Sequence, residues 1–420
     1  MDTRKKVMKN GLIVATEAMP HLRSVSLGVW IKCGSRIEDT KNTGISHFIE
    51  HLLFKGTQKR SAAQIAEVTD SIGGHLNAFT EKEFVGFYAK VMDEHLPIAF
   101  DLVSDIVLNP TFPSIEIKRE RNVIYEEINM VEDSPQELIM DLHMESFWKE
   151  HALGRPISGT KESVAHIARK DIRSYFNSHY NACNMIVAVA GNIRHQDAYR
   201  LAERHFSHLP PGTEAAACQP PKVNADRLIR HKSHLEQTHI CLGTVSPSMA
   251  SRDRYSAHLL SNILGGGMSS RLFQNIRERR GLVYSIYSML NLYRDAGMLV
   301  VYAGTAPEKA SEVVNLILKE FRRLRDNLVS PQELKRAKDY VKGSILLSLE
   351  SSSSRMTNLA QQLIYHGRFV KLEEILEAVD RISARDIRRL ANTMFDNSTM
   401  ALTALSGRNG QDLNAVAIQV

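Results

Sequence analysis

His47-Phe48-Ile49-Glu50-His51 places two imidazoles and a carboxylate within two turns of a predicted helix. With Asn42 or Thr43 as the cap, Ile45, Phe48, Ile49, Leu52 and Leu53 fall on one stripe, and His47, Glu50 and His51 gather opposite it. Neutral imidazoles bind zinc well, a neighbouring carboxylate can take a proton from water, and three protein ligands leave a position for substrate. In a chain of 420 residues such a pattern arises by chance about one time in twenty-five, so the surroundings must decide. A solvated face on an amphipathic helix would show the same periodicity; a third ligand separates the two readings.

Candidates for that ligand lie in the acidic stretch EIKRERNVIYEEINMV, residues 116–131, which reads as a second helix. Val123, Ile124 and Val131 form its apolar stripe; Glu120 and Glu127 share that side, whereas Glu126 points away. A carboxylate on a buried face needs a partner, which is either a metal or a Lys or Arg from elsewhere.

The chain also repeats itself. SHFIEHLLFKG (46–56) aligns without gaps on AHLLSNILGGG (257–267), so His47 faces His258, Glu50 faces Ser261 and His51 faces Asn262. VGFYAKVMDEH (85–95) aligns on LVVYAGTAPEK (299–309), and EIKRERNVIYEEI (116–128) on ELKRAKDYVKGSI (333–345), setting Glu120 against Ala337 and Glu127 against Ser344. The chemically competent set is whole in one half and missing from the other, which solvated faces drifting independently would not produce.

The duplication predicts an α+β protein of two homologous α/β-layer domains, 1–208 and 225–420. They are joined by a Pro- and Ala-rich linker at 209–224. Strands are expected at 24–32, 84–91, 184–191, 238–245, 297–305 and 400–407, with one polar face and helices covering the other. Gly265-Gly266-Gly267 lacks the Gly-Lys-Ser/Thr ending of a phosphate loop and reads as a helix end followed by a turn.

Composition is that of an ordinary globular protein, 43% apolar and 24% charged. The net charge of +6 is dispersed, and the basic clusters near Lys118 and Arg277 lack interleaved aromatics, which argues against nucleic acid. Cys33, Cys183, Cys218 and Cys241 are too scattered for a disulfide framework or a thiolate metal site. With no signal-like or membrane-spanning run, a cytoplasmic location is expected unless a targeting segment has been removed.

Together these features resemble the pitrilysin or insulinase family of metallopeptidases, the inverzincins, which includes mitochondrial processing peptidase. The likeness covers nearly the whole chain, and the two homologous halves match the single-chain bacterial form. The family pairs His-x-x-Glu-His with a Glu some seventy-odd residues on, and Glu127 lies 76 positions after His51 in a matching ERNVIYEEI context. The resemblance implies that His47, His51 and Glu127 bind one Zn(2+) per chain, that Glu50 is the general base and that Glu120 is a supporting acid.

It further matches Leu76-Asn77-Ala78-Phe79-Thr80 to the edge strand on which substrate backbone is laid, with Asn77 and Ala78 as contacts. In RERRGLVYS, Arg277 and Tyr284 match a pair that holds substrate and the oxyanion. Read alone, these would be an ordinary strand after the Gly73-Gly74 turn, a surface Arg and a strand Tyr. The resemblance implies a clamshell of two domains around a closed chamber, and a zinc endopeptidase acting there on peptides or unfolded, presequence-like segments. A homodimer is expected, with a heteromer possible. The alternative is a non-catalytic or partner-dependent assembly subunit of the same fold.

Overall fold

A computed structural model describes residues 2–214, 218–407 and 413–420; residues 215–217 of the expected linker lie outside them. The chain forms two compact units, each built on one mixed sheet. In the first, β1 (Asp2–Val7), β2 (Ile13–Ala18), β3 (Ser24–Ile31), β4 (His75–Thr80), β5 (Val85–Met92) and β6 (Met185–Gly191) are arranged in the order β1-β2-β6-β3-β5-β4. The β2–β6 pair is parallel and the other pairs are antiparallel. In the second, β7 (Arg227–His231), β8 (Thr238–Val245), β9 (Val283–Leu292), β10 (Gly297–Thr305) and β11 (Ala401–Ser406) follow the order β7-β11-β8-β10-β9. Here β7–β11 is the parallel pair. The two sheets thus share a topology and leave β4 and β9 as corresponding edge strands. This is the expected α+β architecture, and the expected strands fall within a residue of their observed ends.

The central strands differ from the reading of one polar face: they are buried on both. Along β6, Val187 and Val189 join the core that holds Phe48, Ile49 and Leu52, while Ile186, Ala188 and Ala190 point to the other side. Alternation at period two gives each face its own apolar set, so the strand reads as a continuous hydrophobic run.

The second face of each sheet is covered by a helix from the other half of the sequence. Met356, Leu359, Ala360 and Leu363 of the helix Ser352–His366 pack with Trp30 and Ile186 in the first unit. Leu138, Ile139 and Phe147 of the helix Pro135–Phe147 pack with Cys241, Val300 and Leu405 in the second. Each large side chain so buried stabilises its unit by about 1.5–3 kcal/mol. Polar ties fix the first helix: Ser26 Oγ meets the hydroxyls of Ser352 and Ser353, and Arg355 pairs with the buried Glu17. The first unit accordingly comprises Met1–Met130, Arg155–Gln219 and Leu347–Phe369, and the second Val131–Gly154, Pro220–Leu346 and Val370–Val420.

All four cysteines are free. Among the described residues no helix is long and apolar enough to cross a membrane.

Candidate metal centre

The helix bearing the motif spans Ile45–Leu53, with Ile45, Phe48, Ile49, Leu52 and Leu53 buried as their stripe requires. Its start differs from expectation. Neither Asn42 nor Thr43 caps it; the N-cap is Gly44 at φ +94°, where a Cβ would come within 2.7 Å of the Ser158 carbonyl oxygen. The capping acceptor is Glu38, which takes hydrogen bonds from the main-chain N–H of Gly44 and of Ser46, each at 2.8 Å. A carboxylate at this end satisfies orphan donors and complements the helix dipole. Burial nevertheless pushes the Glu38 carboxyl up to about 7, against the pull of those N–H donors.

The second helix runs Ser114–Asp133 and buries Ile117, Glu120 and Ile124. Val123, assigned to the apolar stripe, is 42% exposed, so the stripe is centred on Ile117 and Ile124 instead. Glu126 is exposed and its Oε2 accepts from the Asn129 amide, as its position on the helix predicts. Glu127 faces the motif helix with its side chain 40% exposed, which leaves its oxygens reachable.

His47, His51 and Glu127 come together: one ligand atom from each lies within 4.8 Å of the others. The Nε2 atoms of His47 and His51 each stand 3.5 Å from Glu127 Oε2. Zinc held at 2.0–2.2 Å in a tetrahedron sets its donor atoms about 3.3–3.5 Å apart, so these separations fit a shared ion. The donor chemistry fits as well. Burial, with His51 adding a smaller push, holds the His47 imidazole down at about 4 and therefore neutral, the form that ligates.

Around this group stands a second layer. Glu120, 4% exposed, places Oε2 3.2 Å from His51 Nδ1 and Oε1 2.8 Å from Lys55 Nζ. Accepting from Nδ1–H fixes the tautomer that leaves Nε2 free to ligate. Both readings of a buried acid thus meet in one residue, which pairs with a lysine and also orients a candidate ligand.

Glu50 shares the polar face, and burial raises its carboxyl above the usual carboxylate range. Thr80 Oγ1 donates to Glu50 Oε2 at 2.5 Å, a contact that sequence reading missed. Thr80 ends β4, the edge strand that also carries Asn77 and Ala78, and only the tertiary pairing of strand with helix reveals it. Asn77 is exposed and its side chain accepts from the Ala78 N–H.

In the second unit the counterpart helix is Arg254–Gly265, capped at Gly266 as the glycine run suggested. Ser261 bonds Ser288 of β9 at 3.0 Å, His258 and Ser344 are exposed, and Ala337 is buried where Glu120 stands in the first repeat. Arg277 and Tyr284 lie together in this unit, the guanidinium 5.5 Å from the Tyr284 ring centroid and 4.8 Å from that of Phe273. Tyr284 is 78% exposed.

Comparison with known proteins places the chain in a family. Residues 13–161 match the model of the insulinase family, peptidase family M16, and residues 166–341 match that of the peptidase M16 inactive domain. An uncharacterized zinc protease of Bacillus subtilis (strain 168) is 38% identical over 406 residues, covering 96% of this chain and 98% of its own. One from Mycobacterium leprae (strain TN) is also 38% identical, covering 93% of this chain and 89% of its own. Two crystal structures share the fold. A peptidase M16 inactive domain from Pseudomonas fluorescens superposes with a TM-score of 0.92 at 20% identity over 98% of this chain and all of its own. A protease from Helicobacter pylori gives 0.90 at 24% identity, covering 96% of this chain and 99% of its own. With full-length relatives at this level of identity and family models matched at residues 13–161 and 166–341, the chain belongs to the insulinase family, peptidase family M16.

Proposed function

We propose that this chain is a zinc-dependent endopeptidase acting on peptides or unfolded segments. The observation that carries the reading is the convergence of His47, His51 and Glu127 beside Glu50 on one helix face. Relatives described as zinc proteases across nearly the full length support it.

In this reading His47, His51 and Glu127 hold one zinc ion, which when bound supplies Lewis acidity toward water and the scissile carbonyl. Glu50 does the proton work. Its raised affinity for protons suits a group that must take one from water and return it to the departing amine. Thr80 holds Oε2, so Oε1 is the oxygen that receives the proton. Glu120 keeps the His51 ring in place through Nδ1.

Substrate backbone adds to the open side of β4 at Asn77 and Ala78, which reads main chain and leaves side-chain preference to pockets. The role proposed for Arg277 and Tyr284 is donation to the carbonyl oxygen as it gains charge. Closure of the two halves over substrate belongs to the same proposal, as does a preference for chains that are not folded.

The test is cleavage of a quenched fluorescent peptide library by the purified chain, with and without a chelator. Chelator-sensitive turnover by the chain alone supports the proposal. No turnover by the zinc-loaded chain favours the assembly-subunit reading, and turnover only after a second protein is added makes it half of a heteromer.

A further inference from the structure

The second unit holds a cleft of about 300 Å³ between the short π-helical segment Phe273–Glu278 and the helix Ala310–Asp326. Arg279, Arg280, Lys319 and Arg323 line it, against one carboxylate, Glu320. Arg279 and Arg280 belong to the RERR cluster, and Lys319 and Arg323 to the later helix. The structure gives them a common frame. Glu320, only 4% exposed, accepts from Arg323 Nη1 at 2.7 Å and from the Asn275 amide at 3.0 Å. Asn275 in turn accepts from Arg279 Nη1 on its side-chain oxygen and from Arg280 Nη1 on its main-chain carbonyl.

Three guanidinium groups are therefore tied, directly or through Asn275, to one buried acid. Each guanidinium carries five N–H donors, so a single tether leaves others to point elsewhere. Fixing such groups before a ligand arrives lowers the ordering cost of binding. Glu320 is already matched by Arg323, so among the described residues that line the cleft Arg279, Arg280 and Lys319 remain as surplus positive charge around a concave space. Planar forks beside an ammonium suit tetrahedral oxyanions, and three surplus cations suit more than one of them. The cleft volume admits a di- or triphosphate. Short π-helical turns are frequent at functional sites, and this one also carries Arg277.

We propose that this cleft is a binding site for a small oligophosphate, recognised by Arg279, Arg280 and Lys319 on the frame that Asn275 and Glu320 provide. The inference does not depend on the peptidase reading, since binding is measured without turnover.

Inorganic pyrophosphate is titrated into the full chain by calorimetry, with ADP and ATP as parallel arms. One saturable site per chain is expected. Combining Arg279→Gln, Arg280→Gln and Lys319→Gln should weaken it at least about tenfold. A charge-matched control combining Lys161→Gln, Lys170→Gln and Arg173→Gln on the first unit should bind as the parent does. Unchanged thermal melts of the variants keep loss of binding separate from loss of fold. Tighter binding of ADP or ATP than of pyrophosphate assigns the ligand to nucleotides, and equal binding assigns it to the phosphate chain alone. The proposal is overturned if no saturable binding is seen up to about 10 mM. It is equally overturned if both triple variants weaken it alike, or if the cleft variant leaves it intact, as anion capture at a metal would.

Discussion

The helix Ile45–Leu53 and its repeat Arg254–Gly265 each pack into the core of their own unit, and each sends a side chain to its edge strand. In the first unit that bond joins Glu50 to Thr80, whereas in the second it joins Ser261 to Ser288. Beyond this shared frame the two part. The first has two imidazoles converging on Glu127, and the second has His258, Asn262 and an exposed Ser344 at the aligned positions. One fold thus carries two different polar sets, because the scaffold lies in buried aliphatic positions while the candidate metal ligands are a handful of polar ones.

That contrast breaks most completely at Glu50. Glu50→Gln should lower peptide cleavage by about a thousandfold or more while zinc content stays at the parent value. Retained turnover in a clean preparation would remove Glu50 as the base. Next comes the third ligand: Glu127→Gln should weaken zinc binding by about a hundredfold or more, and the exposed neighbour Glu126→Gln should leave it unchanged. Equal metal loss in the two would refute the choice of Glu127.

Glu120→Gln should cost about 10- to 100-fold in zinc affinity, because the neutral amide no longer anchors His51 Nδ1 as a carboxylate does. A smaller effect is expected at the edge strand. Thr80→Val should lower kcat about tenfold with KM and zinc content little changed, and Thr80→Ser should restore it. A rise in KM alone, or no rescue by serine, would mean that the hydroxyl does not act through Glu50. Ser261→Ala combined with Asn262→Ala should change zinc stoichiometry not at all.

What the sequence could reveal was what is local or repeated. The stripe Ile45 to Leu53 and the strand runs carry their burial in their periodicity, and the aligned repeats disclose one architecture used twice. What stayed hidden depends on distant chain. Glu38 caps a helix whose N-cap residue, Gly44, lies six positions later, across a loop whose path no local signal fixes. The helix Ser352–His366 shows an apolar stripe, but a stripe does not say which sheet receives it. Val123 was misplaced for a related reason, since several apolar residues on one helix allow more than one buried face. Thr80 fell inside a matched motif yet had no visible partner until strand and helix were brought together.

The central claim is a single metal centre, in the first unit, made by His47, His51 and Glu127. Zinc titration of the metal-free chain, read as stoichiometry beside the same titration of Glu127→Gln, tests it most directly. The account predicts one tightly bound zinc per chain in the parent and its loss in the variant. Two zinc ions per chain, or one that survives Glu127→Gln undiminished, would contradict it.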